Sequence, residues 1–92
     1  MSKTRLTFPP GVAFQQLGDD QDGVMMSLST GYLYRCNRTA SVVLAAIAEG
    51  KSVEDATEQL ATTFGVDAQR AGQDVQTLIA RLCEKKLLCA AA

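Results

Sequence analysis

The hydrophobic period of this chain changes near residue 37, and that change constrains the fold more than any other feature. Before it, apolar and polar residues alternate, and Gly, Pro and Asp punctuate the alternation. After it, apolar residues recur every three or four positions and β-branched residues thin out. Period two belongs to strands and a period near 3.6 to helices. Strands first and helices after predict an α+β domain rather than alternating parallel units.

In VAFQQL, Val12 and Phe14 alternate with Ala13 and Gln15, after the punctuation of Pro9, Pro10 and Gly11. In VMMSLS, Val24, Met26 and Leu28 share one face and Met25, Ser27 and Ser29 the other, the alternation of a half-buried strand. In GYLYRCN, Tyr32, Tyr34 and Cys36 fall on one side, and Leu33, Arg35 and Asn37 on the other. The short turns GDDQDG and STG join these segments, which predicts a three-stranded antiparallel meander.

Three helices follow. Asn37 or Thr39 is a cap for the first, whose stripe is Ala40, Val43, Leu44 and Ile47, and Gly50 can end it. Ser52 with Asp55 opens the second, with Val53, Ala56, Leu60 and Phe64 on one stripe before Gly65. Asp67 caps the third, expected to run to about residue 87 with Ala71, Val75, Leu78, Ile79 and Leu82 inside, joined by Cys83 or Lys86. The FGVD junction makes the last two a helix-turn-helix, so the expected fold is α+β and winged helix-turn-helix-like. Its domain spans 12–88, with a flexible segment over 1–11 and a frayed tail over 89–92.

Composition narrows the chemistry. The 92 residues fit one small domain, and a net charge of -1 lacks the basic excess of a nucleic-acid or membrane-surface binder. The sequence holds no His to serve as a base near neutral pH, and its Ser and Cys residues lack an evident activating partner. Its three Cys form no C-x-x-C pair, so neither a metal site nor a disulfide framework is expected. Cys36 and Cys83 read as small buried apolar residues. Asp19, Asp20 and Asp22 read as a solvated turn, with weak cation binding the lesser alternative. The glycines fit turns rather than a phosphate cradle. Neither an enzyme nor a cofactor is expected. The start is no secretory signal, and the longest apolar run, ASVVLAAIA, is too short for a membrane span, so the expected location is cytoplasmic.

A winged helix often reads DNA. Here the third helix offers Gln69, Arg70, Gln73 and Gln76, but Asp67 and Asp74 stand beside them and the would-be wing is acidic. That reading takes second place to one based on GYLYRCN. The last strand of a meander is an edge whose outward N–H and C=O groups lack partners, and here only Arg35 could guard it. Such an edge suits strand addition by an incoming peptide, with the third helix walling the groove. Cover by a helix or a homodimer partner is the alternative.

The ordered segments DGVMMSLSTGYLYRCN, EGKSVEDATEQLATTFGV and DVQTLIARLCEKKLL resemble the PqqD-like family, the recognition domains that bind leader peptides of ribosomally made, modified peptides. Leu33 stands where a second aromatic is common, and Cys36 replaces the usual Leu before Asn37. Met25, Met26 and the small residues of VVLAAIAEG are more like the stand-alone adaptors of lasso-peptide clusters than the pyrroloquinoline quinone pathway chaperone, which stays the alternative. The resemblance implies a non-catalytic adaptor that takes the leader as an added strand and presents it to a leader peptidase, with a cyclase in the same pathway. The expected leader-binding residues are Tyr32, Leu33, Tyr34 and Arg35 on the edge, with Asp74, Leu78, Arg81 and Lys85 on one strip of the third helix.

Overall fold

Strands precede helices in the computed structural model, which describes residues 4–17 and 22–90. In chain order the elements are β1 (Leu6–Thr7), β2 (Val12–Gln16), β3 (Gly23–Ser27), β4 (Leu33–Cys36), α1 (Arg38–Ala48), α2 (Val53–Phe64), α3 (Ala68–Glu84) and β5 (Cys89–Ala90). β2, β3 and β4 form an antiparallel meander in that spatial order. The loop from β3 to β4 closes when Gly31 N–H donates to the Ser27 carbonyl (2.8 Å) and Ser27 N–H to the Tyr32 carbonyl (3.0 Å). Gly31 sits at φ 76, a left-handed conformation that a side chain disfavours. The fold is thus the α+β meander-then-helices arrangement that the change of period implies.

Each helix begins on a side-chain cap. Asn37 Oδ1 accepts from Ala40 N–H, Ser52 Oγ from Asp55 N–H and Asp67 Oδ1 from Arg70 N–H. Each such cap contributes about 1 kcal/mol. Gly65, at φ 65, ends α2, and the turn into Asp67 makes the helix-turn-helix.

α1 is the hub. It touches β2, β4, α2 and α3, and its Ser41, Val42, Val43, Leu44, Ala46 and Ile47 are all buried. It therefore lacks the single stripe expected of a surface helix. Ser41 is silent in a hydrophobic count, yet its hydroxyl donates to the Cys36 carbonyl at 3.3 Å and so enters the core without an unmet polar group. The inner sheet face supplies Met25 and Cys36, with Phe14 and Tyr34 half-buried. α2 supplies Val53, Ala56 and Leu60, and α3 supplies Ala71, Val75 and Leu82. Burying one such Leu or Val contributes about 1.5–3 kcal/mol.

In β3 the less apolar set turns inward: Gly23, Met25 and Ser27 are buried, while Met26 is 40% exposed and Leu28, just beyond, 73%. The cause is the closeness of α1. A Cβ on Gly23 would stand 2.8 Å from Phe14 Cε1 and 2.9 Å from Ser41 Oγ, so at that position only glycine fits beneath the helix without a shift, while Met25 fills the core two residues on.

Several expectations need correction. The stretches 1–11 and 89–92 were expected to hang loose; within the described residues they meet, β1 pairing antiparallel with β5 as Leu6 opposite Ala90 and Thr7 opposite Cys89. Backbone pairing satisfies groups that water would otherwise have to serve. α3 stops at Glu84, short of residue 87. Lys86, at φ 61, reverses the chain, with Leu87 N–H returning to the Leu82 carbonyl at 2.8 Å. That turn drives Leu87 and Leu88 into the core and leaves Cys83 and Lys86 exposed, against the expected burial of Cys83. Asp19 and Asp20 lie outside the described residues. Asp22 makes a 3.6 Å ion pair with Arg35. Among the described residues no cluster of His, Cys, Asp and Glu could hold a metal, and no helix is long and apolar enough to cross a membrane.

Candidate functional site

The ladder geometry says which backbone groups of β4 are free. Hydrogen-bonded and non-bonded pairs alternate along antiparallel strands. Ser27 bonds to Tyr32, so the inward-bonded pairs continue as Met25 with Tyr34 and Gly23 with Cys36. The N–H and C=O groups of Leu33 and Arg35 must then point to the other side. No described segment pairs with that side, because β4 is the end of the sheet. The side chains follow the complementary alternation. Tyr34 and Cys36 turn toward the helices, whereas Leu33, 61% exposed, and Arg35 turn to the outer face.

Beside this edge runs a groove walled by α3. One part, of about 280 Å³, lies between β4 and the end of α3, with Tyr34 and Arg35 on one wall, Leu78, Arg81 and Lys85 on the other, and Met25, Leu44 and Leu82 below. Its continuation, of about 220 Å³, lies between the start of α1 and the middle of α3, and adds Thr39, Asp74, Val75 and Thr77. Asn37, Ala40, Leu78 and Arg81 border both parts. Asp74, Leu78, Arg81 and Lys85 are spaced four, three and four apart, which keeps them on one helical strip. The strip faces β4 because Ala71, Val75 and Leu82, on the neighbouring strip, are held in the core.

The lining is apolar below and charged at the rim. Lys85 Nζ sits 5.5 Å from the centroid of the Tyr34 ring, and Tyr32 meets Tyr34 edge-on at 6.3 Å between centroids. Among the described residues neither Asp74 nor Arg81 has an ion-pair partner. Burial pushes the Cys36 thiol pKa up, and a backbone hydrogen bond at Met25 works against that shift.

Six of the eight expected residues, Tyr34, Arg35, Asp74, Leu78, Arg81 and Lys85, thus border the groove, although the Arg35 side chain, like that of Leu33, turns to the outer face and pairs with Asp22. Tyr32, 65% exposed, stands just before β4, and Leu33 contributes its backbone to the edge but its side chain to the opposite face. Sequence reasoning missed Thr39, Ala40 and Thr77 as lining, and took Asn37 only as a cap. Thr77 had a signal: it follows Asp74 by three and precedes Arg81 by four.

The family profile described as Coenzyme PQQ synthesis protein D (PqqD) matches residues 22–88, from the start of β3 through the buried Leu88. The chain belongs to the PqqD family. The matched stretch holds the open edge and the whole groove. A solved structure, TbiB1 in complex with the TbiA(beta) leader peptide, shares the fold of this PqqD-family chain. Its TM-score is 0.82 over 94% of this chain and 98% of that one, at 22% sequence identity. No curated protein matches the sequence.

Proposed function

We propose that this PqqD-family chain is a non-catalytic adaptor that binds the leader of a ribosomally made precursor peptide as an added strand on β4. The observation that carries the proposal is the open rank of Leu33 and Arg35 backbone groups beside an apolar-floored groove. The edge would supply register and a share of affinity that tolerates sequence, and the groove would supply specificity. Family membership and the likeness to TbiB1, which was solved with a leader peptide, support it. Tyr32, Leu33, Tyr34 and Arg35, with Asp74, Leu78, Arg81 and Lys85, are the proposed contact residues.

The proposal includes delivery, in the cytoplasm where the precursor is translated, to a leader peptidase of lasso-peptide type, with a cyclase acting later. With edge and groove occupied, the outer sheet face stays open to that enzyme, and Met26 lies there exposed opposite Leu33. A peptide chaperone in pyrroloquinoline quinone synthesis is the second reading, favoured by the description of the matched family. A homodimer through the same edge would compete with the leader.

Hydrogen exchange tests the binding step, using the synthetic leader of a candidate precursor peptide. The Leu33 and Arg35 amides should exchange freely alone and slow on addition of the leader. Protection elsewhere with these two unchanged would refute strand addition on β4. Transfer of the bound leader to a lasso-type leader peptidase, against transfer to a quinone-pathway enzyme, separates the two readings.

A further inference from the structure

We infer that the groove reads charge order, and that the peptide it selects carries an apolar residue followed two positions later by a carboxylate side chain. The inference rests on the proposed strand addition and deepens it.

The charges on the groove's helical wall are segregated. Asp74 lines the part that also contains Asn37 and Thr39, while Lys85 lines the part that contains Tyr34 and sits over its ring. Arg81 stands between them, bordering both parts. α3 therefore runs antiparallel to β4, with its acidic position near the end of the strand and its two cations near the middle and the start. All three are exposed, and none has an ion-pair partner among the described residues. Between the charges Leu78 faces the floor.

Spacing turns this into a pattern. Asp74 and Arg81 are about 10 Å apart along the helix axis, and Asp74 and Lys85 about 16 Å, from a rise of about 1.5 Å per residue. An extended peptide advances about 3.3 Å per residue, so these intervals are about three and five of its positions. Side chains facing the groove recur every second residue, and the even separation inside that range is four. The residue halfway lies over Leu78. Antiparallel pairing is the more stable per residue and places the guest's N-terminal end near Asp74 and its C-terminal end near Arg81 and Lys85. The selected segment thus reads basic or hydrogen-bond-donating, any, apolar, any, acidic, from N to C. The opposite charge order would set a carboxylate against Asp74 and a cation against the Arg81–Lys85 pair.

Selection of a random twelve-residue display library on the whole protein tests this, run in parallel on the Arg81→Glu/Lys85→Glu double variant. The wild type should enrich Asp or Glu two positions after an apolar residue. Synthetic peptides with that acid changed to Lys should bind about three- to tenfold more weakly, with the gap closing in high salt. The double variant should lose the acidic preference. Enrichment of groove-binding peptides with no acidic preference, with the acid before the apolar residue, or with a preference that survives charge reversal would overturn the charge reading and leave strand addition standing. Should no enriched peptide protect the Leu33 and Arg35 amides, both readings fall together.

Discussion

Gly23 and Cys36, opposite each other in the sheet, show how much single residues decide here. A methyl group on Gly23 would meet Phe14 Cε1 at 2.8 Å and Ser41 Oγ at 2.9 Å. Gly23→Ala should therefore destabilise the fold by about 1–3 kcal/mol in urea unfolding, and Phe14→Leu in the same chain should recover part of the loss. Cys36 makes stability depend on alkaline pH. Its folded pKa is raised by burial, so the unfolded thiol ionises first, from about pH 8.5 upward. Its contribution is complete below that pH and is lost as pH climbs through the folded pKa. Between pH 7 and pH 9.5 the wild type should lose more unfolding free energy than Cys36→Ala, and equal losses would remove the thiol as the cause. Not all of this was legible in the residue types. Cys36 was expected to be buried and is, but Cys83 was expected to be buried too and is exposed. Nothing in the local pattern marks Lys86 as the left-handed residue that replaces a last helical turn.

The elements were more legible than their orientation. Caps at Asn37, Ser52 and Asp67 stand where their side chains announce them, because a cap is a local contest between neighbouring groups. The inward face of β3 is not local. VMMSLS alternates either way, a one-residue slip exchanges its faces, and the choice belongs to a helix more than ten residues further on. The strip from Asp74 to Lys85 was readable because helical spacing is fixed, whereas the lining from the start of α1 depends on how the layers pack. The edge itself yields a paired prediction. Leu33 N–H points away from β3 and Tyr34 N–H toward Met25, so Leu33→Pro should leave the circular dichroism spectrum native while weakening leader binding about tenfold or more. Tyr34→Pro should break the ladder and unfold the sheet. Unchanged leader affinity in a folded Leu33→Pro chain would contradict an added strand at that site.

At the scale of the whole molecule, a domain of 92 residues has little stability in reserve, and the joining of its ends is part of it. Thr4 C=O accepts from Val53 N–H at 2.7 Å, Thr4 N–H donates to Glu54 Oε1 at 2.8 Å, and β1 holds β5 directly behind the buried Leu87 and Leu88. Removing residues 1–7 should therefore lower the urea midpoint, by about 2–4 kcal/mol of unfolding free energy, and should speed exchange at Val53 and along β5. A truncated chain as stable as the parent would show that the joined ends are ornamental. The same pairing brings Leu6 and Ala90 together, so the stretch between them nearly closes on itself. A linker of a few residues could seal Leu6 to Ala90 and a new opening be cut at Ser29 and Thr30, the exposed tip between β3 and β4. A tether joined just before Leu6 or just after Ala90 would pull from one shared anchorage, so a fused enzyme would swing about a single pivot on either side.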